Sequence, residues 1–272
     1  MGAAKRVVIT GGASGYGKAL ALQFASEGWR VAFMDIHAAR GAETAAELLR
    51  LYPASDVFFV QGDVRELSSF ESLRDAVVRR WGGLDMLINN AGVAAHGRID
   101  ESQLDDWQWI IDINLLSVVR GSQVFLPLLK AQGSGHVVNI ASMAGLLYGA
   151  EMGPYNATKA GVVAISETLL FELKPAGIKV SVVCPGFFQT NLAETMRLKN
   201  PEVKARVERL LASSKLSAAE IAAFTYKELL RGSFLILPHP LYQKFWRMKR
   251  FLPSLYYHLM HKRAAGRQSA RS

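Results

Sequence analysis

The sequence predicts a doubly wound parallel α/β sheet: a single-domain, three-layer sandwich with helices on both faces and a helical extension at the C-terminus. Short runs that are apolar throughout alternate with longer helical patterns along most of the 272 residues. Strands of this kind are typical of a parallel sheet that is covered on both faces. Right-handed crossovers between them then produce the doubly wound arrangement.

The elements follow one another in a regular order. β-rich runs predict strands over residues 6–10, 30–35, 56–61, 84–88, 136–141, 178–184 and 233–237. Helical patterns predict helices over residues 15–28, 38–51, 66–81, 103–131, 155–174 and 217–230. The sequence has no internal repeat and no flexible linker before Pro238. We therefore predict one domain over residues 1–237 and a basic amphipathic extension over residues 238–272.

Composition excludes several classes of protein. Hydrophobic residues make up 50% of the chain and charged residues 20%, which excludes a disordered or fibrous protein. No uninterrupted apolar run reaches the ~18 residues of a membrane-spanning helix, and the run at residues 7–9 is too short for a signal peptide. The single cysteine is typical of a reducing compartment, so we expect a cytoplasmic protein. The six histidines show no metal-ligand spacing, so we expect no metal.

The net charge of +9 belongs to one end of the chain. All 23 acidic residues lie at or before Glu228, and the same stretch carries an equal number of Lys and Arg. The last 44 residues contain no acid and nine basic residues: Arg231, Lys244, Arg247, Lys249, Arg250, Lys262, Arg263, Arg267 and Arg271. The chain is therefore a neutral body with a basic tail.

A glycine-rich turn joins the first predicted strand to the first predicted helix. Residues 10–17 read Thr-Gly-Gly-Ala-Ser-Gly-Tyr-Gly. A dinucleotide pyrophosphate must approach backbone N–H groups at a helix N-terminus, where the helix dipole favours negative charge. A Cβ at Gly11, Gly15 or Gly17 would obstruct the turn, the approach of the phosphate or the packing of the helix on the strand. The turn predicts a cofactor site formed by Gly11, Ser14, Gly15, Tyr16 and Gly17, although a glycine-rich turn of this kind can also be merely tight.

Asp35 ends the second predicted strand. A carboxylate there accepts hydrogen bonds from the adenosine ribose hydroxyls and repels a 2′-phosphate. Ser14 is small and neutral where an arginine would otherwise favour a phosphate. These two residues favour NAD over NADP. Arg40 lies close enough in sequence to receive a phosphate, but a solvated residue in the first turn of a helix explains it as well.

Tyr155 and Lys159 lie four residues apart on a predicted helix and share a face. A free tyrosine has a pKa near ~10 and is a poor base at neutral pH. A neighbouring ammonium stabilises the phenolate and moves the pKa toward a range useful for acid/base catalysis. Ser142 ends a strand where its hydroxyl could hold a substrate oxygen, and Asn114 is a polar residue inside an apolar helical pattern.

Taken together, these motifs resemble the short-chain dehydrogenase/reductase family over about residues 5–237. The matching residues are Thr10-Gly11-x-x-x-Gly15-x-Gly17, Asp63-Val64, Asn89-Asn90-Ala91-Gly92, Asn114, Ser142, Tyr155-x-x-x-Lys159 and Pro185-Gly186-x-x-x-Thr190. Their order and spacing agree with the family throughout. Phe188 departs from the pattern, since a smaller aliphatic residue often stands there.

The resemblance implies a Rossmann-type fold that binds NAD and a role for each matching residue. It implies that Tyr155 is the acid/base, Lys159 lowers its pKa and binds the nicotinamide ribose, Ser142 orients the substrate oxygen, and Asn114 holds a water of the proton relay. It also implies cofactor contacts from Asp63 and Val64 at the adenine, from Asn90 and Gly92 along the adenosine, and from Pro185, Gly186 and Thr190 at the nicotinamide end. A homodimer or homotetramer is a further implication.

The residues around the expected substrate site are mostly apolar. Phe187, Phe188, Leu192, Met196 and Leu198 begin the loop expected to close over the substrate, and His96, Leu146, Leu147, Tyr148 and Met152 are candidates for the other walls. This pattern favours a hydrophobic alcohol or ketone over a sugar. Ordinary packing of a lid explains the pattern almost equally well.

The tail has two short apolar stripes at helical spacing, one on each side of Pro253. The first consists of Leu241, Phe245, Met248 and Leu252, and the second of Leu255, Tyr256, Leu259 and Met260. Basic amphipathic helices suit an anionic membrane surface, which would place the protein at the membrane periphery. The stripes could equally pack on the body or a second subunit, or cap the substrate cleft. No nucleic-acid motif accompanies the charge, so we expect no nucleic-acid partner.

Two hypotheses follow from the sequence. The first is an NAD-dependent oxidoreductase that interconverts a secondary alcohol and a ketone, or a primary alcohol and an aldehyde, on a hydrophobic substrate. The second is an NAD-sensing scaffold whose basic tail binds a membrane or a protein partner. The intact set of Asn114, Ser142, Tyr155 and Lys159 favours the first, because a pure sensor need not keep all four groups.

Overall fold

The computed structural model describes residues 4–188, 194, 196, 205, 209, 214 and 216–268, with side chains up to residue 262. Its centre is a parallel sheet of seven strands in the order β3-β2-β1-β4-β5-β6-β7. The strands are β1 (Arg6–Thr10), β2 (Arg30–Asp35), β3 (Val57–Gln61), β4 (Met86–Asn89), β5 (Gly135–Ile140), β6 (Ile178–Val183) and β7 (Leu235–Ile236). The strand order reverses between β1 and β4, which gives the switch point of a doubly wound sheet.

Nine helices accompany the sheet within the described residues. They are α1 (Gly15–Ser26), α2 (Ala38–Leu51), α3 (Leu67–Trp81), α4 (Leu104–Ile111), α5 (Ser117–Gln132), α6 (Gly153–Leu173), α7 (Ala218–Arg231), α8 (Pro240–Phe251) and α9 (Pro253–Gln268). A π-helical turn, Asp112–Leu116, joins α4 to α5, and 3₁₀ turns occur at Met143–Gly145 and Lys174–Ala176.

Helices cover both faces of the sheet, because the strands are buried on both sides. On one face, α1, α2 and α7 contribute the fully buried side chains of Phe24, Leu48 and Ile221 to a core with the strands. On the other, α3, α5 and α6 contribute side chains such as Phe70 and Phe125. The predicted fold class, a three-layer doubly wound parallel sheet with a C-terminal helical extension, is confirmed.

The fourth strand begins two residues later than predicted. The side chain of Gln132 accepts a hydrogen bond from the Leu84 amide at 2.9 Å and donates one to the Leu84 carbonyl at 2.6 Å. Asp85 forms an ion pair with Arg6 at 2.8 Å. A glutamine side chain therefore takes the place of strand pairing at Leu84, which an apolar pattern cannot indicate.

The helix predicted over residues 103–131 is interrupted. Leu104–Gln132 is long and apolar enough to cross a membrane by length and composition, but Phe125 and Leu129 of α5 are fully buried in the core. Core packing therefore accounts for its apolar character. The π-helical turn in its middle contains the buried Asn114, and such turns often occur at functional sites.

The C-terminal extension consists of α8 and α9. The sheet ends at Ile236 and α8 starts at Pro240, while the domain boundary at residue 237 stays a prediction. Helix α8 packs on the body through Tyr242 and Trp246, which contact the cluster around Val182, Cys184 and Leu237. Helix α9 contacts mainly α8 among the described elements. Of the predicted apolar stripe of α8, Leu241 is 61% exposed and Leu252 57% exposed, whereas Phe245 and Met248 are half-buried.

Candidate active site

A cavity of about 1240 Å³ lies at the carboxyl ends of the central strands. Residues that follow β1, β2, β4, β5 and β6 line it, among them Gly11, Asp35, Asn90, Ser142 and Pro185. Open parallel sheets place their ligand sites at this edge, next to the point where the strand order reverses. The cavity therefore has the position expected for a cofactor and its substrate.

The glycine-rich turn forms one end of the cavity. Gly11 and Gly15 have φ angles of 65° and 52°, in the left-handed region that other residues rarely adopt. A Cβ on Gly17 would lie 2.0 Å from the Gly11 carbonyl oxygen, so only glycine lets α1 start so close to the turn. Ser14 and Tyr16 also line the cavity. The first turn of α1 thus presents backbone N–H groups to the cavity.

Thr10 and Asn90 fix the shape of this turn. The Thr10 hydroxyl accepts hydrogen bonds from the amides of Asn90 and Ala91 at 2.9 and 3.0 Å. The Asn90 side chain donates to the carbonyl oxygens of Thr10 and Gly11 at 2.8 and 3.2 Å. The ends of β1 and β4 are therefore joined by side chains, and Asn90 supports the turn from beneath.

Acidic residues lie at the same end. Asp35 accepts hydrogen bonds from the amides of Ala13 and His37, both at 3.1 Å, which orient its carboxylate at the cavity wall. Asp63 lines the cavity together with Val64. Its hydrogen bonds to Arg65 are the main reason that its carboxyl pKa lies below the ordinary value.

Arg40 forms an ion pair with Glu194 at 3.2 Å, and both residues line the cavity. The sequence suggested a phosphate ligand or a solvated residue. Arg40 lies in the first turn of α2 with its side chain 38% exposed, as the second alternative predicts, and its guanidinium also contacts the segment that follows β6. Both side chains of this pair are partly exposed, so the ion pair itself contributes little to stability.

Tyr155, Ser142 and Lys159 meet in the middle of the cavity. The Tyr155 hydroxyl shares a hydrogen bond with the Ser142 side chain. Lys159 Nζ lies 5.9 Å from the centroid of the Tyr155 ring and donates to the Ile140 carbonyl at 2.9 Å. Tyr155 is 8% exposed and Lys159 only 4%. The structure thus brings these three predicted residues together in one buried group.

Gly145, which the sequence analysis did not single out, makes this group possible. A Cβ on Gly145 would lie 2.6 Å from the Lys159 carbonyl oxygen. Without a side chain there, the turn after β5, which carries Ser142, lies directly against α6, which carries Tyr155. A glycine three residues beyond Ser142 is too common a pattern for the sequence alone to indicate this contact.

Buried hydrogen bonds hold α6 in register with the sheet. Asn89 on β4 donates to Asn139 on β5 at 2.9 Å, and Asn139 donates to Ser166 on α6 at 3.0 Å. The side chains of Asn139 and Ser166 are fully buried. A buried polar side chain that loses its hydrogen-bond partner destabilises the folded state. These hydrogen bonds therefore specify one position of α6 relative to the strands.

Burial dominates the ionisation of the group. It raises the pKa of the Tyr155 phenol, and the hydrogen bond with Ser142 acts in the opposite direction. Burial also lowers the pKa of the Lys159 ammonium to about 8. Beneath them, the thiol of Cys184 is fully buried, and burial raises its pKa to about 12. In the protein alone, burial therefore favours the protonated phenol of Tyr155, opposite to the lowered pKa that the sequence predicts from the neighbouring ammonium.

Asn114 lies in the π-helical turn and faces the same group. Its side chain accepts from the Val93 amide at 2.8 Å and donates to the Val93 carbonyl at 2.9 Å. A Cβ on Gly92 would lie 3.2 Å from Asn114 Oδ1 and 3.3 Å from Lys159 Nζ. Asn114 and Lys159 therefore flank the same glycine. Asn114 itself is 1% exposed and does not line the cavity.

The remaining wall of the cavity is mostly apolar. Of the wall residues predicted from the sequence, His96, Leu147, Met152, Met196, Phe187 and Phe188 line the cavity. Leu146 and Tyr148 do not line it: Leu146 packs against the cluster under α8, and Tyr148 is 56% exposed. Thr190, Leu192 and Leu198 lie outside the described residues. His96 and Glu151 approach to 3.6 Å at a polar part of the rim.

Tyr242 of α8 also lines the cavity, although the sequence analysis did not name it as a site residue. A Cβ on Gly186 would lie 2.3 Å from the Tyr242 ring, and Tyr242 has a hydrogen bond with the Phe187 backbone. His239 accepts a hydrogen bond from the Gly186 amide at 3.0 Å. The start of the C-terminal extension is therefore built into the cavity wall beside the segment that follows β6.

Phe188 packs inside this wall. Its ring meets the Tyr16 ring edge-to-face at 5.4 Å, and the residue is 7% exposed. The large side chain that departs from the family pattern thus joins the glycine-rich turn of α1 to the segment after β6.

Comparisons with known proteins agree with this architecture. The model of the short chain dehydrogenase family matches residues 5–201. A "CLA biosynthesis dehydrogenase/reductase" of Lactiplantibacillus plantarum is 30% identical over 88% of this chain and 89% of its own length. A "3-alpha-(or 20-beta)-hydroxysteroid dehydrogenase" of Mycobacterium tuberculosis is 34% identical over 70% of this chain and 71% of its own.

Among solved structures, a short-chain dehydrogenase/reductase from Burkholderia phymatum in complex with NAD is similar to this chain. It has a TM-score of 0.86 and 33% identity, and the match covers 93% of this chain and 95% of that one. The family match, the relatives and the shared fold lead to one conclusion: this chain belongs to the short-chain dehydrogenase/reductase family of oxidoreductases.

Proposed function

We propose that this protein is an NAD-dependent oxidoreductase that interconverts a hydrophobic secondary alcohol and its ketone, or a primary alcohol and its aldehyde. One observation carries the proposal: the buried group of Tyr155, Ser142 and Lys159 opens into the same cavity as the glycine-rich turn and Asp35. A proton donor, a group that orients an oxygen and a cofactor cradle then serve a single reacting carbon.

The residues of the cavity fit a dinucleotide. The glycines leave room for a pyrophosphate at the N-terminus of α1, where the N–H groups and the helix dipole favour an anion. Asp35 would accept the ribose hydroxyls, and Asp63 and Val64 would border the adenine. Lys159 would bind the nicotinamide ribose, and Pro185 and Gly186 would border the nicotinamide. When bound, the cofactor supplies the hydride acceptor or donor of the reaction.

The chain's own groups would move the proton. In ketone reduction, the Tyr155 phenol donates its proton to the substrate oxygen while Ser142 holds that oxygen in place. Burial keeps Tyr155 protonated, which favours this role as acid. In alcohol oxidation, Tyr155 must first lose its proton, and the ammonium of Lys159 stabilises the phenolate that results. Asn114 would orient a water that connects Lys159 to solvent.

The apolar wall supports a hydrophobic substrate. Leu147, Met152 and Tyr242 line the cavity near the reacting group. A relative named as a hydroxysteroid dehydrogenase acts on a molecule of this class. We therefore expect turnover first with steroid, retinoid, terpenoid or long-chain alcohols and ketones. If the protein binds NAD tightly but turns over none of these compounds, the result would instead support the NAD-sensing scaffold. The meeting of Tyr155, Ser142 and Lys159 in one cavity disfavours that alternative.

Replacing Tyr155 tests the mechanism. We expect Tyr155→Phe to lower kcat by at least about 10³-fold, because the variant lacks the hydroxyl that we expect to exchange the proton with the substrate. NAD affinity, measured by calorimetry, should change less than about threefold. Tyr148→Phe is the matched control, since Tyr148 lies outside the cavity, and should keep full activity. Retained turnover in Tyr155→Phe would refute the assigned role.

Asp35 tests the cofactor preference. We expect kcat/KM with NAD to exceed that with NADP by at least about tenfold, because the carboxylate repels a 2′-phosphate. Asp35→Ser should lower the ratio of kcat/KM with NAD to kcat/KM with NADP, chiefly by raising kcat/KM with NADP. A thermal melt controls for the lost hydrogen bond to Ala13. If the unmodified enzyme prefers NADP tenfold or more, the assignment of NAD fails.

A further inference from the structure

The two C-terminal helices carry an outer surface that the hydride-transfer site does not explain. We propose that this surface, formed by the exposed residues of α8 and α9, docks the enzyme onto an anionic lipid membrane. The residues that carry it are the exposed cations and apolar side chains Leu241, Lys244, Arg247, Arg250, Phe251, Leu252, Leu255, Tyr257, Leu259 and Lys262.

Helix α8 is divided into an inner and an outer face. Tyr242, Trp246 and Lys249 recur at helical spacing and face the body: the rings pack on the core cluster, and Lys249 Nζ donates to the Leu146 carbonyl at 2.6 Å. Lys244 and Phe251 fall on the opposite side, and Leu241 lies on the flank between the two faces. Phe251 is 71% exposed. The outer face of α8 is thus both apolar and cationic.

Helix α9 continues the pattern. Leu255, Leu259 and Lys262 lie at i, i+4 and i+7, so they form one row along the helix. All three are exposed, whereas the neighbouring Tyr256 is buried. A row of leucines that ends in a lysine can bury its apolar part in a lipid interface while the ammonium reaches the phosphate region.

Charge decides between a membrane and a second copy of the chain. A closed dimer would use the same patch on both subunits, so the cations Lys244, Arg247, Arg250 and Lys262 of one subunit would face a patch that carries the same four cations. The sequence from residue 229 to residue 272 contains no acid that could offset them. An anionic lipid surface provides the opposite charge and an apolar layer together. The surface therefore fits a membrane better than it fits itself.

Vesicle co-sedimentation of the full-length protein tests the proposal. We expect binding to vesicles of phosphatidylcholine with phosphatidylserine, and little binding to phosphatidylcholine alone. The variant Lys244→Gln/Arg247→Gln/Arg250→Gln should bind the anionic vesicles on the order of 100-fold less, since each cation near such a surface contributes about fivefold. The control Arg50→Gln/Arg79→Gln/Lys130→Gln removes the same charge from exposed sites of the body and should bind as the unmodified protein does.

A second variant separates the apolar contribution from the charge. Phe251→Ser/Leu255→Ser keeps every cation and should still lose much of its binding to anionic vesicles. Sedimentation velocity without lipid measures the oligomeric state, and so tests the alternative that a second copy of the chain covers this surface. Equal binding by the tail and body charge variants would overturn the proposal. The proposal would also be overturned if the unmodified protein bound no vesicles and formed a dimer, and if Phe251→Ser/Leu255→Ser converted that dimer to a monomer.

Discussion

Lys159 is a cation in a position that disfavours charge. It is 4% exposed, its ammonium has one backbone carbonyl as its hydrogen-bond partner in the described part of the chain, and burial lowers its pKa to about 8. In the unfolded chain the pKa returns to its ordinary value near 10.5. The residue that we expect to assist Tyr155 therefore lowers the stability of the folded state at neutral pH, a trade-off common at active sites.

This gives a prediction for stability as a function of pH. Between pH 8 and 10.5 the unfolded state binds more protons at Lys159 than the folded state, so its contribution to the free energy of unfolding rises with pH, by up to about 3 kcal/mol. Lys159→Met lacks this contribution. Urea unfolding at pH 7 and pH 10 should therefore show the unmodified protein gaining stability relative to Lys159→Met.

Exposed Lys130→Met is the control for this experiment. It removes a lysine without removing a buried charge, so its free energy of unfolding should follow that of the unmodified protein at both pH values. The same pH-dependent difference in Lys130→Met and Lys159→Met would show that the effect does not come from burial of the Lys159 ammonium.

At the scale of single elements, α8 is the part whose role the sequence left open between several alternatives. Its Tyr242 fills the space beside Gly186 and lines the cavity. We expect Tyr242→Ala to raise KM for a hydrophobic substrate by about tenfold, because an aromatic contact is lost, with a smaller effect on KM for NAD.

Leu241→Ala is the matched control for Tyr242→Ala. Leu241 is the preceding residue and is 61% exposed. Steady-state kinetics of this variant should match those of the unmodified enzyme. An unchanged substrate KM in Tyr242→Ala would remove α8 from the substrate site.

Local patterns predicted most elements well and failed where a side chain from elsewhere decides the structure. Strands β1, β2 and β5 lie within a residue of their expected bounds, because buried strands are apolar throughout. Residue 84 was misassigned because Gln132, distant in sequence, binds its backbone. The π-helical turn places Asn114 in hydrogen-bond contact with Val93, and helical periodicity cannot reveal such a turn.

The site was predictable to the extent that it consists of a spaced motif. The order of the glycines, Ser142, Tyr155 and Lys159 is visible in one dimension, and the structure brings these residues to one cavity. Gly145 and Tyr242 were missed because their importance is a matter of close approach in three dimensions. The packing of Tyr242 and Trp246 on the body was not predicted for the same reason.

At the scale of the whole molecule, the C-terminal extension divides into two parts with different roles. Helix α8 packs on the core cluster and lines the cavity, whereas α9 contacts mainly α8. We expect a chain that ends at Leu252 to keep its turnover and most of its melting temperature. A chain that ends at Leu237 should lose its turnover and much of its thermal stability, because it lacks the side chains of α8 that pack on Gly186 and on the core cluster.

Thermal melts and steady-state turnover of the two truncated proteins, beside the full chain, check this expectation. The protein that ends at Leu252 is also the useful comparison for vesicle binding, since it lacks Leu255, Leu259 and Lys262. Equal loss of activity in both truncated proteins would show that α9 is part of the catalytic structure.

The single thiol of the chain lies under the reacting group. Cys184 is fully buried, its pKa is raised to about 12, and it shares a hydrogen bond with the Ser142 backbone. A thiol reagent reaches Cys184 only when the end of β6 separates from its neighbours. The rate of labelling therefore measures how often this buried region opens. The native sequence therefore contains its own reporter of breathing motions beneath the catalytic residues. Any ligand that closes the cavity can be detected as a slower reaction of one sulfur atom.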